Sequence, residues 1–95
     1  MPLIERMANI GGEVERALKW RAKNNADYSR MAFERALELI DLTLEYSSKP
    51  SHLREITRLR EALVDYFYGA NEFGSTESSW RNYFSCFTYA ARRDS

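Results

Sequence analysis

The stretch Tyr28–Tyr46, YSRMAFERALELIDLTLEY, decides the fold. Wound as a helix at roughly 100° per residue, it puts Phe33, Ala36, Leu37, Ile40 and Leu44 on one face. A second apolar strip runs beside the first, carrying Tyr28, Ala32, Leu39, Leu42, Thr43 and Tyr46. Together the strips cover more than half the circumference, whereas an ordinary surface helix buries a narrower band. The stretch is therefore expected to be the central helix of a small bundle, with packing partners on two sides.

The flanking sequence supplies those partners. Upstream, Leu3, Met7, Ile10, Val14 and Ala17 alternate steps of four and three, with Leu18 adjoining, which is one helical seam. Gly11-Gly12 interrupts it, each glycine costing about 1 kcal/mol against alanine. The register survives the pair, so the expectation is one weakened helix or two pieces nearly in line. Asn24-Asn25-Ala26-Asp27 is a polar break, and Asp27 reads as the N-cap of the central helix.

Downstream, Pro50 ends the central helix and Ser51 can cap the next, which carries Leu53, Ile56, Leu59, Leu63, Tyr66 and Phe67 on one face. So short a connection implies an antiparallel hairpin in which residues whose numbers sum to about 99 lie level. Asp41 then faces Arg58, and Glu45 faces Arg54. Glu34 with Asp65, and Glu38 with Glu61, are like-charged pairs that Arg35 and Arg60 can neutralise. After a break at Gly69–Gly74, Ser75 or Thr76 caps a last helix with an apolar stripe of Trp80, Tyr83, Phe84, Phe87 and Ala91. No strand-like alternation occurs. The reading is all-α: one domain, residues 1–95, folded as an antiparallel up-and-down bundle of four helices, the first open to a break at Gly11-Gly12.

Composition narrows the function classes. Fourteen basic residues balance fourteen acidic ones, so the chain lacks the basic excess usual in a dedicated nucleic-acid binder. One cysteine, Cys86, forms neither an intrachain disulfide nor a cysteine zinc cage, and it reads as a buried or half-buried structural thiol. The apolar runs are too short to span a bilayer, and the N-terminal residues do not read as a signal peptide. A cytoplasmic setting, with no membrane partner, is the expectation. No phosphate-cradling glycine loop and no metal-ligand spacing occurs, so neither cofactor nor metal is expected.

Two partial resemblances lead no further. AFERALEL resembles the second helix of a tetratricopeptide repeat, but Ile40-Asp41 stand where its closing proline belongs and no second copy follows at a period of roughly 34. Size and helicity are similar to the higher-eukaryote and prokaryote nucleotide-binding ribonuclease bundles, but their Arg-x(4–6)-His motif is absent around His52. His52 is the only histidine and has no nucleophile beside it, so no catalytic residue is assigned. The acidic stripe Glu34, Glu38, Asp41, Glu45 lies opposite the apolar face and lacks any Glu-x-x-His, so it reads as a solvated face rather than a bundle metal site.

Two surfaces remain as candidates. Arg16, Lys19, Trp20 and Lys23 share one face of the first helix, where the indole either meets a base or protein partner or covers a neighbouring helix with lysine stems around it. Tyr68, Phe73 and Trp80, if exposed, form an aromatic patch of the kind found at interfaces. The leading expectation is a non-enzymatic interaction or adaptor module, with self-association as one form of it. One alternative is a nucleic-acid-binding module using the basic, Trp-bearing face. The other is a small enzyme acting on an anionic metabolite, with Arg30, Arg35, Arg58 or Arg60 converging on a cavity.

Overall fold

A computed structural model describes residues 2–93. Met1, Asp94 and Ser95, included in the expected domain, lie outside the described residues. Four helices make up the fold: α1 (Leu3–Ala22), α2 (Ala26–Tyr46), α3 (Pro50–Phe67) and α4 (Glu77–Arg93). Among the described residues there is no strand.

Helix α1 runs unbroken through Gly11-Gly12 and buries Met7, Ile10, Gly11, Val14, Ala17 and Leu18. Gly11 is where α4 comes closest. A Cβ built there would stand 2.9 Å from Cβ, Cγ and Cδ1 of Phe84, so the missing side chain lets the two helices touch. The residues after α1 divide two tasks. Asn24 takes the left-handed conformation (φ 62°) that turns the chain. Asn25, rather than Asp27, is the N-cap of α2, its Oδ1 accepting the Tyr28 N–H at 3.1 Å. Asp27 sits in the first turn, where the helix dipole favours an acid.

The next connection also starts earlier than expected. Pro50 is the first residue of α3 and Lys49 its cap, with no side-chain cap bond, so Ser51 lies inside the helix. Proline suits that position because its fixed φ is already helical and its missing N–H would have had no partner. At α4, of the two expected residues Ser75 and Thr76, Thr76 is the cap. Its Oγ1 accepts the Ser79 N–H, and Ser79 Oγ accepts the Thr76 N–H in return.

Side-chain contacts give the directions. Arg6 lies over the Tyr46 ring at one end of the α1–α2 pair and Trp20 meets Tyr28 at the other, so these helices are antiparallel. Ser29, buried between them, donates to the Ala17 carbonyl oxygen at 2.8 Å. Phe33 stacks on Phe67, and Arg60 donates to Asp41 at 2.9 Å, which sets α2 against α3 in the same sense. The level rule is thus two residues short: Asp41 takes Arg60, while Arg58 lines the groove against α4. Glu45 and Arg54 do not pair. Helix α4 returns beside α1, where Arg81 meets Glu15 at 3.0 Å.

The helices therefore follow the spatial order α4–α1–α2–α3. No Cα of α3 comes within 8 Å of a Cα in α4. Only side chains close that gap, chiefly Tyr66 against Trp80 and the Tyr83 hydroxyl on Glu55. Helix α2 does have two neighbours, and its first strip is core: Phe33, Ala36 and Ile40 are buried. The second strip departs from expectation. Ala32 and Thr43 are buried, but Tyr28, Leu42 and Tyr46 are exposed, because α1 and α3 reach two flanks of α2 and no other helix among the described residues packs on the third.

Candidate interaction face on the first two helices

That third flank carries a line of large apolar side chains. Tyr28 is 51% exposed, Met31 59%, Leu42 45% and Tyr46 70%. Steps of three and four residues keep them in line along α2, with Arg35 between, over about 27 Å of helix. Single exposed apolar residues are ordinary; four of them aligned on one side of one helix are not. Both ends are braced from α1. Trp20 packs on Tyr28 with ring centres 4.9 Å apart in an edge-to-face arrangement, and the Arg6 guanidinium sits 5.1 Å from the centre of the Tyr46 ring.

Charged rows flank the line. On α1 the outer side is mixed, with Arg6, Arg16 and Lys23 beside Glu5 and Glu13. On the far flank of α2 the row is acidic, with Glu34, Glu38 and Glu45, all exposed. Of the acidic stripe, Asp41 alone is tied inward, to Arg60. Among the described residues no group of three or more His, Cys, Asp or Glu is placed to hold a metal ion.

The candidate residues fall in four places. Arg16, Lys19, Trp20 and Lys23 lie along the outer side of α1. Arg16 pairs with Glu13 at 3.4 Å, and the Lys23 amine stands 5.4 Å from the centre of the Trp20 ring. Trp20 is half-buried, so it both covers α2 and borders the exposed line. Tyr68 is exposed at the C-cap of α3 and packs edge-on against Phe33. Partial burial and then the nearby Glu34 raise its phenol pKa, which Arg30 opposes. Phe73 is exposed in the loop before α4. Trp80 is not part of any exposed patch. At 6% exposure it is core, between Tyr66 and Phe84, because α4 packs Phe84 on α1 and turns Trp80 toward Tyr66 of α3.

Cys86 corrects the expectation in the other direction. It is exposed, on the side of α4 away from Phe84, with its thiol donating to the Tyr83 carbonyl oxygen. The four arginines considered for a catalytic cavity do not converge. Arg30 borders a hollow of about 450 Å³ near Phe67, and Arg58 lines a groove of about 720 Å³ between α3 and α4. Arg60 is tied to Asp41, and Arg35 stands in the exposed line on α2. In the α3–α4 groove, burial and then Glu55 push the Tyr83 phenol well above its ordinary pKa. A hollow of about 790 Å³ lies between α1 and α4 over Gly11 and Gly12. His52 is half-buried and borders a smaller one of about 360 Å³, with Arg6, Thr43 and Lys49.

The sequence signal for Met31 was its spacing from Tyr28, Arg35 and Leu42, a run outside the core strip. Comparison of the chain with protein-family models, with curated proteins and with solved structures finds no match in any of the three.

Proposed function

We propose that this protein is a protein-interaction module that works through the outer face of α1 and α2, rather than an enzyme. The line of exposed side chains from Tyr28 to Tyr46 carries the reading. Covering what remains open of these four groups is worth on the order of 4 kcal/mol before the costs of association. Charged rows on both sides supply the polar rim that keeps such a face soluble and gives a partner its orientation. Among the described residues no helix is long and apolar enough to cross a membrane, and a cytoplasmic setting suits an exposed free thiol.

The nucleic-acid alternative is weaker on geometry. Lys23 lies over the indole of Trp20 and Tyr28 packs against it, so a base could stack there only by displacing one of them.

Site-specific photo-crosslinking in cells producing the full chain tests the proposal. A photoreactive phenylalanine at position 31 or 42 is expected to give discrete protein adducts, and the same probe at the exposed position 78 on α4 to give none. Absence of adducts from both α2 positions removes the reading.

A further inference from the structure

We propose that the gap between α3 and α4 is a binding site for a small amphipathic acid. The ligand has a flat apolar body, a carboxylate at one end and an uncharged oxygen acceptor at the other. The site lies across the bundle from the α1–α2 face and does not depend on the reading of that face.

The gap follows from the fold. Helices α3 and α4 stand at the two ends of the order α4–α1–α2–α3, and no Cα of one comes within 8 Å of a Cα of the other. Between them runs the groove of about 720 Å³, a volume in the range of small-molecule sites. Leu59 and Ala62 of α3 and the Trp80 indole of α4 supply its apolar wall.

Two unmet polar needs define what fills it. The first belongs to Trp80. This residue is 6% exposed, and its Nε1 is the one buried side-chain donor left without an acceptor among the described residues. Protein interiors rarely leave such a donor unpaired, because its lost hydration is not replaced. The second belongs to Arg54 and Arg58. Both line the groove from α3, and neither has an ion pair or hydrogen bond among the described residues.

The acid placed to neutralise Arg58 is Glu55, three residues before it, and Glu55 is engaged elsewhere. Its Oε1 accepts the Tyr83 hydroxyl across the groove at 3.1 Å. Burial and then Glu55 itself keep that phenol protonated far above its ordinary range, so the tie persists at neutral pH. Glu61, one turn beyond Arg58, is exposed and does not line the groove. Two cations against one acid leave the lining net positive.

The order along α3 sets the order along the ligand. Arg54 and Arg58 stand about 6 Å apart along the axis, close enough for both guanidinium groups to hold one carboxylate. Leu59 and Ala62 come next. Tyr66, a further turn on, is the residue that meets Trp80, so the indole lies at the end away from the arginines. A ligand reaches the indole N–H by shifting side chains alone, since no close backbone packing joins the two helices.

NMR titration of the isotope-labelled full chain with para-methoxycinnamate tests the proposal. Saturable shifts centred on residues 54–62 and 80–83 are expected, with a downfield move of the Trp80 indole proton and a dissociation constant of about 1 mM or below. The neutral amide of the same acid is expected to bind about tenfold more weakly, and R54Q/R58Q to bind the acid about tenfold more weakly. Both arginines are exposed, so the double variant is expected to keep the spectrum of the folded chain. R30Q/R93Q removes the same charge elsewhere and is expected to bind like the unaltered chain. Absence of saturable shifts up to about 10 mM overturns the proposal. So does equal affinity for acid and amide, or for the unaltered chain and R54Q/R58Q. Shifts centred on Met31 and Leu42 would place the acid on the α1–α2 face and overturn it too. An indole proton that stays still while the groove amides move overturns the contact with Trp80.

Discussion

Two adjacent glycines in α1 have opposite situations and should answer to the same substitution with opposite signs. Alanine at Gly12 meets nothing within 4 Å, so only the backbone preference acts, and Gly12→Ala is expected to stabilise the fold by up to about 1 kcal/mol. At Gly11 the same preference is overridden. The new Cβ would be 2.9 Å from the Phe84 Cβ, and that atom cannot swing aside as a flexible tip can. Moving it means moving α4, so Gly11→Ala is expected to destabilise by about 1–3 kcal/mol, the range for overpacked cores. Urea denaturation of both variants decides it. Equal stabilisation of the two would show that α4 does not rest on Gly11. The sequence displayed the pair only as an interruption; what distinguishes the two glycines is a helix dozens of residues away.

Among the elements, the four helices were legible because burial imposes a period that any reader of the chain can count. Their ends were less so. Asn24, Asn25 and Asp27 can all serve a helix terminus, and the choice fell on Asn25 because Asn24 had already turned the chain by taking a left-handed conformation. The connection from α3 to α4 was opaque for a different reason. Asp65 looked like one more acid on a helix face, yet its side chain reaches forward to hold the loop. Oδ1 accepts the Glu72 N–H at 2.8 Å and Oδ2 the Phe73 N–H at 3.1 Å, while the Asp65 carbonyl accepts from Asn71. Charge-assisted bonds of this kind are worth about 1.5–3 kcal/mol each when buried and less where water competes. Asp65→Ala is expected to cost about 1–2 kcal/mol in total and to raise the rate at which a protease cuts between residues 70 and 75. Unchanged stability and cleavage would mean that the loop holds its shape without the carboxylate.

At the scale of the whole molecule, the arrangement explains both what the sequence disclosed and what it concealed. The breadth of apolar surface on α2 was visible, and two packing partners followed from it. Which strip would stay bare depended on the order α4–α1–α2–α3, and no local pattern contains that order. The same order left Tyr28, Leu42 and Tyr46 exposed and took Trp80 into the core. It also sets a gradient of local stability. Helices α1 and α2 each have two neighbours at backbone distance, whereas α3 packs closely only on α2 and α4 only on α1. The seam between the outer pair is made of side chains, Tyr66 with Trp80 and Tyr83 with Glu55, and the second of these is an exposed hydrogen bond. Opening should begin there, since regions with few packed contacts unfold below the global free energy. Native-state hydrogen exchange is expected to find the slowest amides around Ile10, Val14, Phe33 and Ile40. Those of α3 and α4 should exchange through openings on the order of 1–2 kcal/mol less costly. Uniform protection across all four helices would mean that the aromatic seam holds the outer pair as firmly as backbone-close packing holds the inner pair.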